Sequence, residues 1–341
     1  MVKTLPVHDA VGTVLAHDIT EIIPGQFKGR AFKKGHIITE SDIEHLKNLG
    51  KEHLYVLEIG GEDLHENDAA VMLASALAGR GIMVSKEPKE GKLELTAAYE
   101  GLLKVNVQAL YRFNLIGEVM CATRHTNTYV KKGEILAGTR AIPLVIHKKI
   151  IEKAVAVCKE AGGVLHLLPL RKAGVGVVIT GNEVYHGRIK DRFRPVIQKK
   201  VEEIGSSIVD VRYAPDERKV IAGHIRDLIG KGADLIVTTG GMSVDPDDVT
   251  RLAVADAGAE EITYGSSVLP GAMLMVAYMG DIPVIGVPAC GMFHDITLFD
   301  LILPRVLAGE RIGREALAAL GHGGLCLNCE TCRFPVCPFG Q

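Results

Sequence analysis

Residues 234–250 read DLIVTTGGMSVDPDDVT. Leu235, Ile236 and Val237 form a short apolar run with β-branched members, which predicts a buried strand. Gly240 and Gly241 end it. Behind them stand Ser243, Asp245, Asp247 and Asp248, and then a helical pattern from Val249. Glycine lets a ligand approach the backbone closely. In open α/β sheets, ligands bind at the carboxyl ends of strands. A phosphate loop of the usual kind would carry a lysine and bare N–H groups here. Carboxylates dominate instead, pointing to a metal ion or to a ligand rich in N–H donors.

Around this stretch the pattern alternates. Strands are expected at 175–179, 207–211, 235–238 and 284–287, with helices at 193–204, 217–229, 249–256 and 295–307. Such alternation predicts an α/β domain, about 172–310, with a mostly parallel sheet and helices on both faces. Parallel strands bring their carboxyl ends to one edge. Three of those ends carry unusual residues: Thr180-Gly181-Asn182-Glu183, the 240–248 turn, and Pro288-Ala289-Cys290-Gly291. Asp191 precedes the helix expected at 193. It is a site candidate and equally a candidate N-cap. Asp248 has the same second reading, as stabiliser of a helix start.

The 341 residues leave room for more than one domain and a sizeable core. Smaller segments are expected at 1–61, β-rich, and at 62–171, α+β, with a Cys-rich tail at 321–341. Helices read clearly at 41–49, at 68–77 with Asp68 as cap, and at 148–160; the run GLLKVN at 101–106 is ambiguous between helix and strand. The Lys131-Lys132-Gly133 turn echoes Lys33-Lys34-Gly35, as a repeated hairpin device would. A net charge of −2 argues against nucleic acid as partner. No apolar run approaches a membrane span, and the N-terminus lacks the apolar core of a signal peptide. A cytoplasmic protein is the expectation. Tryptophan is absent and aromatics are few, so the core must be mostly aliphatic.

The segment from Val175 to Leu307 resembles the molybdopterin-binding domain shared by molybdopterin molybdenumtransferases, molybdopterin adenylyltransferases and the competence/damage-inducible proteins. The matching motifs are TGNE at 180–183, I-x-D at 189–191, GADLIVTTGG at 232–241 and DVT at 248–250, with Pro270-Gly271 and Gly286-Val287-Pro288 at later turns. The resemblance implies that Gly240, Gly241 and Ser243 face the pterin and its phosphate. It makes Asp248 the essential aspartate of that loop and Asp191 the other acidic position. Thr180, Gly181 and Glu183 fall in the TG-x-E turn, and Pro288 in the turn after the last strand. Molybdopterin carries an amino-pyrimidinone edge, a dithiolene and a phosphate. Carboxylates accept the N–H pair of that edge in bidentate fashion, or hold Mg²⁺ beside the phosphate. More loosely, VGTVLAHDI at 11–19 resembles the opening pattern of molybdenumtransferases.

Two departures fall where an anion is expected. The P-G-K-P turn of molybdenumtransferases is Pro270-Gly271-Ala272-Met273 here, without lysine, and their G-N-P turn is Ala289-Cys290-Gly291. Losing a cation that faces phosphate or molybdate weakens binding by about 1–3 kcal/mol. Binding of molybdopterin is therefore better supported than any catalytic step; the retained Asp191 and Asp248 favour what the resemblance implies, a transferase that inserts molybdate into molybdopterin or its adenylate, with ATP or AMP involved. The alternative is a non-catalytic carrier, chaperone or sensor of the cofactor. Nucleotide or NMN hydrolysis is a third, less favoured class. By likeness to the family a homo-oligomer is expected, and docking to a molybdoenzyme or another cofactor-pathway protein is a further expectation.

Seven cysteines are present, and Cys326, Cys329, Cys332 and Cys337 crowd the end of the chain as C-x-x-C-x-x-C-x-x-x-x-C-P. In a cytosolic chain this suggests a metal site rather than disulfides. Three cysteines at this spacing, and proline after the last, suit a [4Fe–4S] cluster; a Cys₄ Zn²⁺ site is the rival. Residues 321–324 read as a flexible joint before the tail.

Overall fold

The structure, a computed structural model, describes residues 2–23, 27–242 and 248–340. The chain forms two compact units. The first comprises Met1–Tyr99, Leu103–Thr126 and Val130–Leu167, the second Glu100–Leu102, Asn127–Tyr129 and Leu168–Gln341.

In the first unit, strand His53–Leu57 pairs antiparallel with Val2–Pro6 on one side and Val14–Leu15 on the other. Leu15, Ile38, Leu46, Leu54 and Val56 fill the small core there. A four-stranded antiparallel sheet follows, in the order Val119–Thr123, Ile135–Ala141, Lys92–Ala97, Ile82–Val84. Leu93, Leu95 and Ala97 alternate inward, as a half-buried strand requires. Helices Glu66–Leu77 and Lys148–Glu160 close over them. The second helix has the bounds its pattern predicts: Ile151, Ala154, Val157 and Cys158 make one buried face.

Three local readings differ. The helix expected from Asp68 begins at Glu66, because the His65 imidazole caps it by accepting the Asn67 N–H. The ambiguous run is strand Gly101–Val105, stopped by Asn106, whose side chain accepts the Ala109 N–H and starts helix Val107–Asn114. The two Lys-Lys-Gly turns do share a conformation. Each glycine has positive φ, and each turn closes from residue i+3 to the carbonyl of the first lysine. Neither joins two strands that pair with each other.

Glu66 is nearly fully buried at the start of its helix. Its Oε2 accepts from the Arg140 guanidinium at 2.9 Å. Gly35 and Gly91 lie against the same carboxylate, so closely that a Cβ on Gly91 would stand 2.3 Å from Oε2.

The second unit is built on a six-stranded sheet in the order Ser207–Ala214, Gly174–Thr180, Leu235–Thr239, Ile282–Val287, Met275–Met279, Glu260–Tyr264. The first four are parallel; the hairpin of Met275–Met279 with Ile282–Val287 then reverses direction, and Glu260–Tyr264 pairs antiparallel at the edge. Val175, Val177, Ile179, Leu235 and Val237 face helices Phe193–Glu203 and Leu298–Leu307. Val178, Ile236 and Val284 face Arg218–Gly230 and Thr250–Asp256. Apolar residues on both sides of each strand are the signature of a sheet covered on both faces. No helix among the described residues is long and apolar enough to cross a membrane.

Residues 321–324 are a packed turn rather than a joint. A Cβ on Gly324 would stand 2.4 Å from the Leu320 carbonyl oxygen, and one on Gly321 3.0 Å from the Ser267 Cβ. Glycine is there for close approach, not for mobility.

Candidate functional site

Register places Thr180, Thr239 and Val287 at one edge: Ile179 pairs with Thr239, and Thr239 with Val287. Thr180 is buried. Its hydroxyl donates to the Thr239 carbonyl at 2.8 Å and lies 3.1 Å from the Thr250 hydroxyl. A hydroxyl has one hydrogen, so Thr250 is the donor in the second bond. The chain leaves the strand through Gly240 (φ 79°) and Gly241 (φ 57°). A Cβ on Gly240 would sit 2.7 Å from the Thr180 carbonyl oxygen, and one on Gly241 2.3 Å from the Thr250 hydroxyl. Both the positive φ and the close approach require glycine.

Gly181 (φ 132°) begins a second turn, into the short helix Asn182–Tyr185. The Glu183 carboxylate folds back toward it, 2.9 Å from where a Gly181 Cβ would be. Asn182 is tied to the neighbouring strand end. Its N–H donates to the Asp216 carboxylate at 2.9 Å, and the Asp216 N–H donates to the Asn182 side-chain oxygen at 3.3 Å.

These turns open on a cavity of about 750 Å³. Thr180, Gly181, Glu183, Gly240, Gly241 and Asp248 line it, as do Asn182 and Asp216. Lys190 and Arg192 contribute two cations, and Met292 and Phe293 an apolar wall. Three carboxylates and two cations thus face one space, as suits a ligand with an N–H edge and an anionic end.

Other expected residues fall elsewhere. The Asp191 carboxylate does not line the cavity. Its Oδ1 accepts the Phe193 N–H at 2.7 Å and its Oδ2 the Tyr213 hydroxyl at 3.0 Å, so it caps the helix, the second of its two readings. Burial first, and this carboxylate second, push the Tyr213 phenol above its usual range. Pro288 is buried behind the edge, its carbonyl accepting the Gly291 N–H, while the next residue, Ala289, lines the cavity. Burial pushes the Cys290 thiol up, against nearby backbone N–H groups that lower it. Ser243, Asp245 and Asp247 lie outside the described residues. The tail cysteines are free thiols and do not line this cavity. Among the described residues, no three His, Cys, Asp or Glu side chains are grouped to hold a metal ion.

Asp216, Lys190 and Arg192 are charged lining residues that sequence reasoning missed. Asp216 had a signal. Extending the strand read at 207–211 through Tyr213 to Ala214 puts Pro215-Asp216 at the same edge as the other strand ends. Lys190 and Arg192 flank the acidic residue that drew attention in their place.

Residues 176–308 match a family described as "Probable molybdopterin binding domain", and residues 4–58 match a domain of unknown function (DUF8806). A CinA-like protein of Mycobacterium sp. (strain MCS) is 39% identical over 83 residues, 24% of this chain and 20% of that protein. The chain spans about a fifth of the length of the curated relatives it matches. Among solved structures, the tungsten cofactor synthesizing protein MoaB from Pyrococcus furiosus aligns at 16% identity and a TM-score of 0.34, over 42% of this chain and 99% of that one. The molybdopterin biosynthesis Mog protein from Mycobacterium ulcerans aligns at 20% identity and a TM-score of 0.32, over 40% and 93%. Residues 176–308 thus carry a domain of the molybdopterin-binding kind, on an α/β fold whose strand ends build one polar cavity.

Proposed function

We propose that the chain binds molybdopterin, or its adenylate, in the cavity at the carboxyl edge of the parallel strands, and that it acts in handling the molybdenum cofactor. One observation carries the reading: Thr180, Gly181 and Glu183 share a cavity with Gly240, Gly241 and Asp248. That set is the one the resemblance assigns to the pterin and its phosphate. Asp248, Asp216 or Glu183 accepts the N–H pair of the amino-pyrimidinone edge. Met292 and Phe293 offer the ring an apolar surface, and Lys190 and Arg192 meet the phosphate.

Mg²⁺ fits this donor set without an all-protein cage, because it keeps waters and takes further oxygens from phosphate beside one or two carboxylates. When bound, it neutralises charge developing at phosphorus. The reading is that of a transferase, with molybdate and the adenylate as co-substrates. The missing lysine at Ala272 favours a second reading, a carrier that holds the cofactor without turning it over.

The test is incubation with molybdopterin, ATP, Mg²⁺ and molybdate, followed by identification of bound and released pterins. Adenylate formed or consumed, and lost in Asp248→Ala, supports the transferase. Tight binding without turnover supports the carrier. Nucleotide hydrolysis without pterin binding, or neither turnover nor binding, removes the pterin reading.

A further inference from the structure

The end of the chain is a closed loop, pinned twice to the second unit. At its start, the Leu269 N–H donates to the Gly324 carbonyl and the Cys326 N–H to the Leu269 carbonyl, both at 2.8 Å. At its end, Phe339 is buried in the core and the Gly340 N–H donates to the Gly323 carbonyl at 2.9 Å. Residues 323–340 therefore return on themselves. Cys326, Cys329, Cys332 and Cys337 are all free thiols of this loop, and all line one cavity of about 220 Å³. Phe293 lines both this cavity and the one at the glycine turns.

We propose that the loop is a four-thiolate metal centre set against the wall of the ligand cavity. Four cysteines lining one small cavity offer thiolates, which select a soft metal, zinc or an iron–sulfur cluster, over Mg²⁺ or Ca²⁺. The C-x-x-C-x-x-C spacing fits a [4Fe–4S] cluster, and four thiolates equally satisfy tetrahedral zinc. Binding deprotonates the thiols and releases their protons to solvent. Arg333, which lines the same cavity, offsets part of the charge of the resulting thiolates. As placed, no three of the thiols are grouped closely enough to share an ion. The two anchors fix the ends while Cys329 and Cys332 between them are exposed, so the loop has room to tighten. Metal binding of this kind supplies the free energy for ordering its own ligands.

The test uses the full chain purified without oxygen. The expected result is about four iron and four sulfide per chain, or about one zinc. Either metal supports the centre, and visible absorption tells the two apart. The Cys329→Ser/Cys332→Ser pair replaces only exposed thiols and leaves the two anchors alone; it should lose the metal while keeping the thermal melt of the rest. Because the chain has no tryptophan, Phe293→Trp gives a single tryptophan at the wall shared by the two cavities, and its emission, excited apart from tyrosine, should change on metal loading. Substoichiometric iron and zinc, both as isolated and after anaerobic reconstitution, overturns the centre, as does metal retained by the double variant. Loading without a change at Trp overturns its placement beside the ligand cavity. No pterin enters these assays, so they fail or succeed independently of the molybdopterin reading.

Discussion

The Tyr213 hydroxyl donates to the Asp191 carboxylate at 3.0 Å, while the other carboxylate oxygen accepts the Phe193 N–H. Asp191 is thereby committed to starting a helix. Asp191→Ala should cost about 1–2 kcal/mol of stability, as loss of a cap does, and Tyr213→Phe about 1 kcal/mol. Both should leave ligand affinity nearly unchanged. Denaturant melts beside a binding titration decide the matter. Loss of binding with no loss of stability would return Asp191 to the site.

The turn at Gly241 is held by shape. Gly241→Ala puts a Cβ 2.3 Å from the Thr250 hydroxyl at φ 57°. Strain and overpacking together should cost about 2–4 kcal/mol and disturb the cavity. Adding Thr250→Ala should recover the packing part but not the backbone part. Thermal melts of the single and double variants measure the difference.

Lys190→Ala and Arg192→Ala should each weaken a phosphate-bearing pterin by roughly tenfold, about 1.4 kcal/mol. Each should also flatten the salt dependence of binding, since exposed charges are screened. A pterin without the phosphate should bind both variants as it binds the parent. Equal losses for both ligands would show that these side chains act on the fold and not on the anion.

Cys121 and Cys158 lie in the core of the first unit, where burial pushes their thiols up to about 12 and about 11. The ordinary value is 9.0. A raised folded value means that the neutral thiol's contribution is complete below pH 9 and is lost as pH climbs through 11 to 12. Stability should fall by about 1.4 kcal/mol per pH unit per thiol from pH 9 upward, until about 11 for Cys158 and about 12 for Cys121, and Cys121→Ala should remove its share of the slope. At pH 8, iodoacetamide should label the exposed Cys329 and Cys332 of the metal-free protein and spare both core thiols, as peptide mass spectrometry would read.

The parallel sheet was legible because 175–179 and 235–238 are apolar on both faces and the intervening helices keep strict periodicity. The antiparallel edge was not. Strand Glu260–Tyr264 exposes its first residues and carries a register shift, so neither period is clean. In the site, glycines and acids after strand ends stood out because their chemistry is written in adjacent residues. Asp216 and the Thr180–Thr250 bond were hidden, since they join segments that only the sheet brings together. Asp191 is a motif position whose side chain bonds local backbone and the Tyr213 hydroxyl, a pairing that no sequence pattern displays.

The Glu66 carboxylate bears on how the first unit comes apart. It is covered by Gly35 and Gly91 and gripped by Arg140, so three stretches far apart in sequence share one buried charge. The region 4–58 matches a family of its own, yet Gly35 within it forms part of the wall around Glu66. Excising that region would uncover half of a buried ion pair, a change on the order of 2 kcal/mol or more. The N-terminal segment and the middle segment are therefore expected to unfold together, as one cooperative unit.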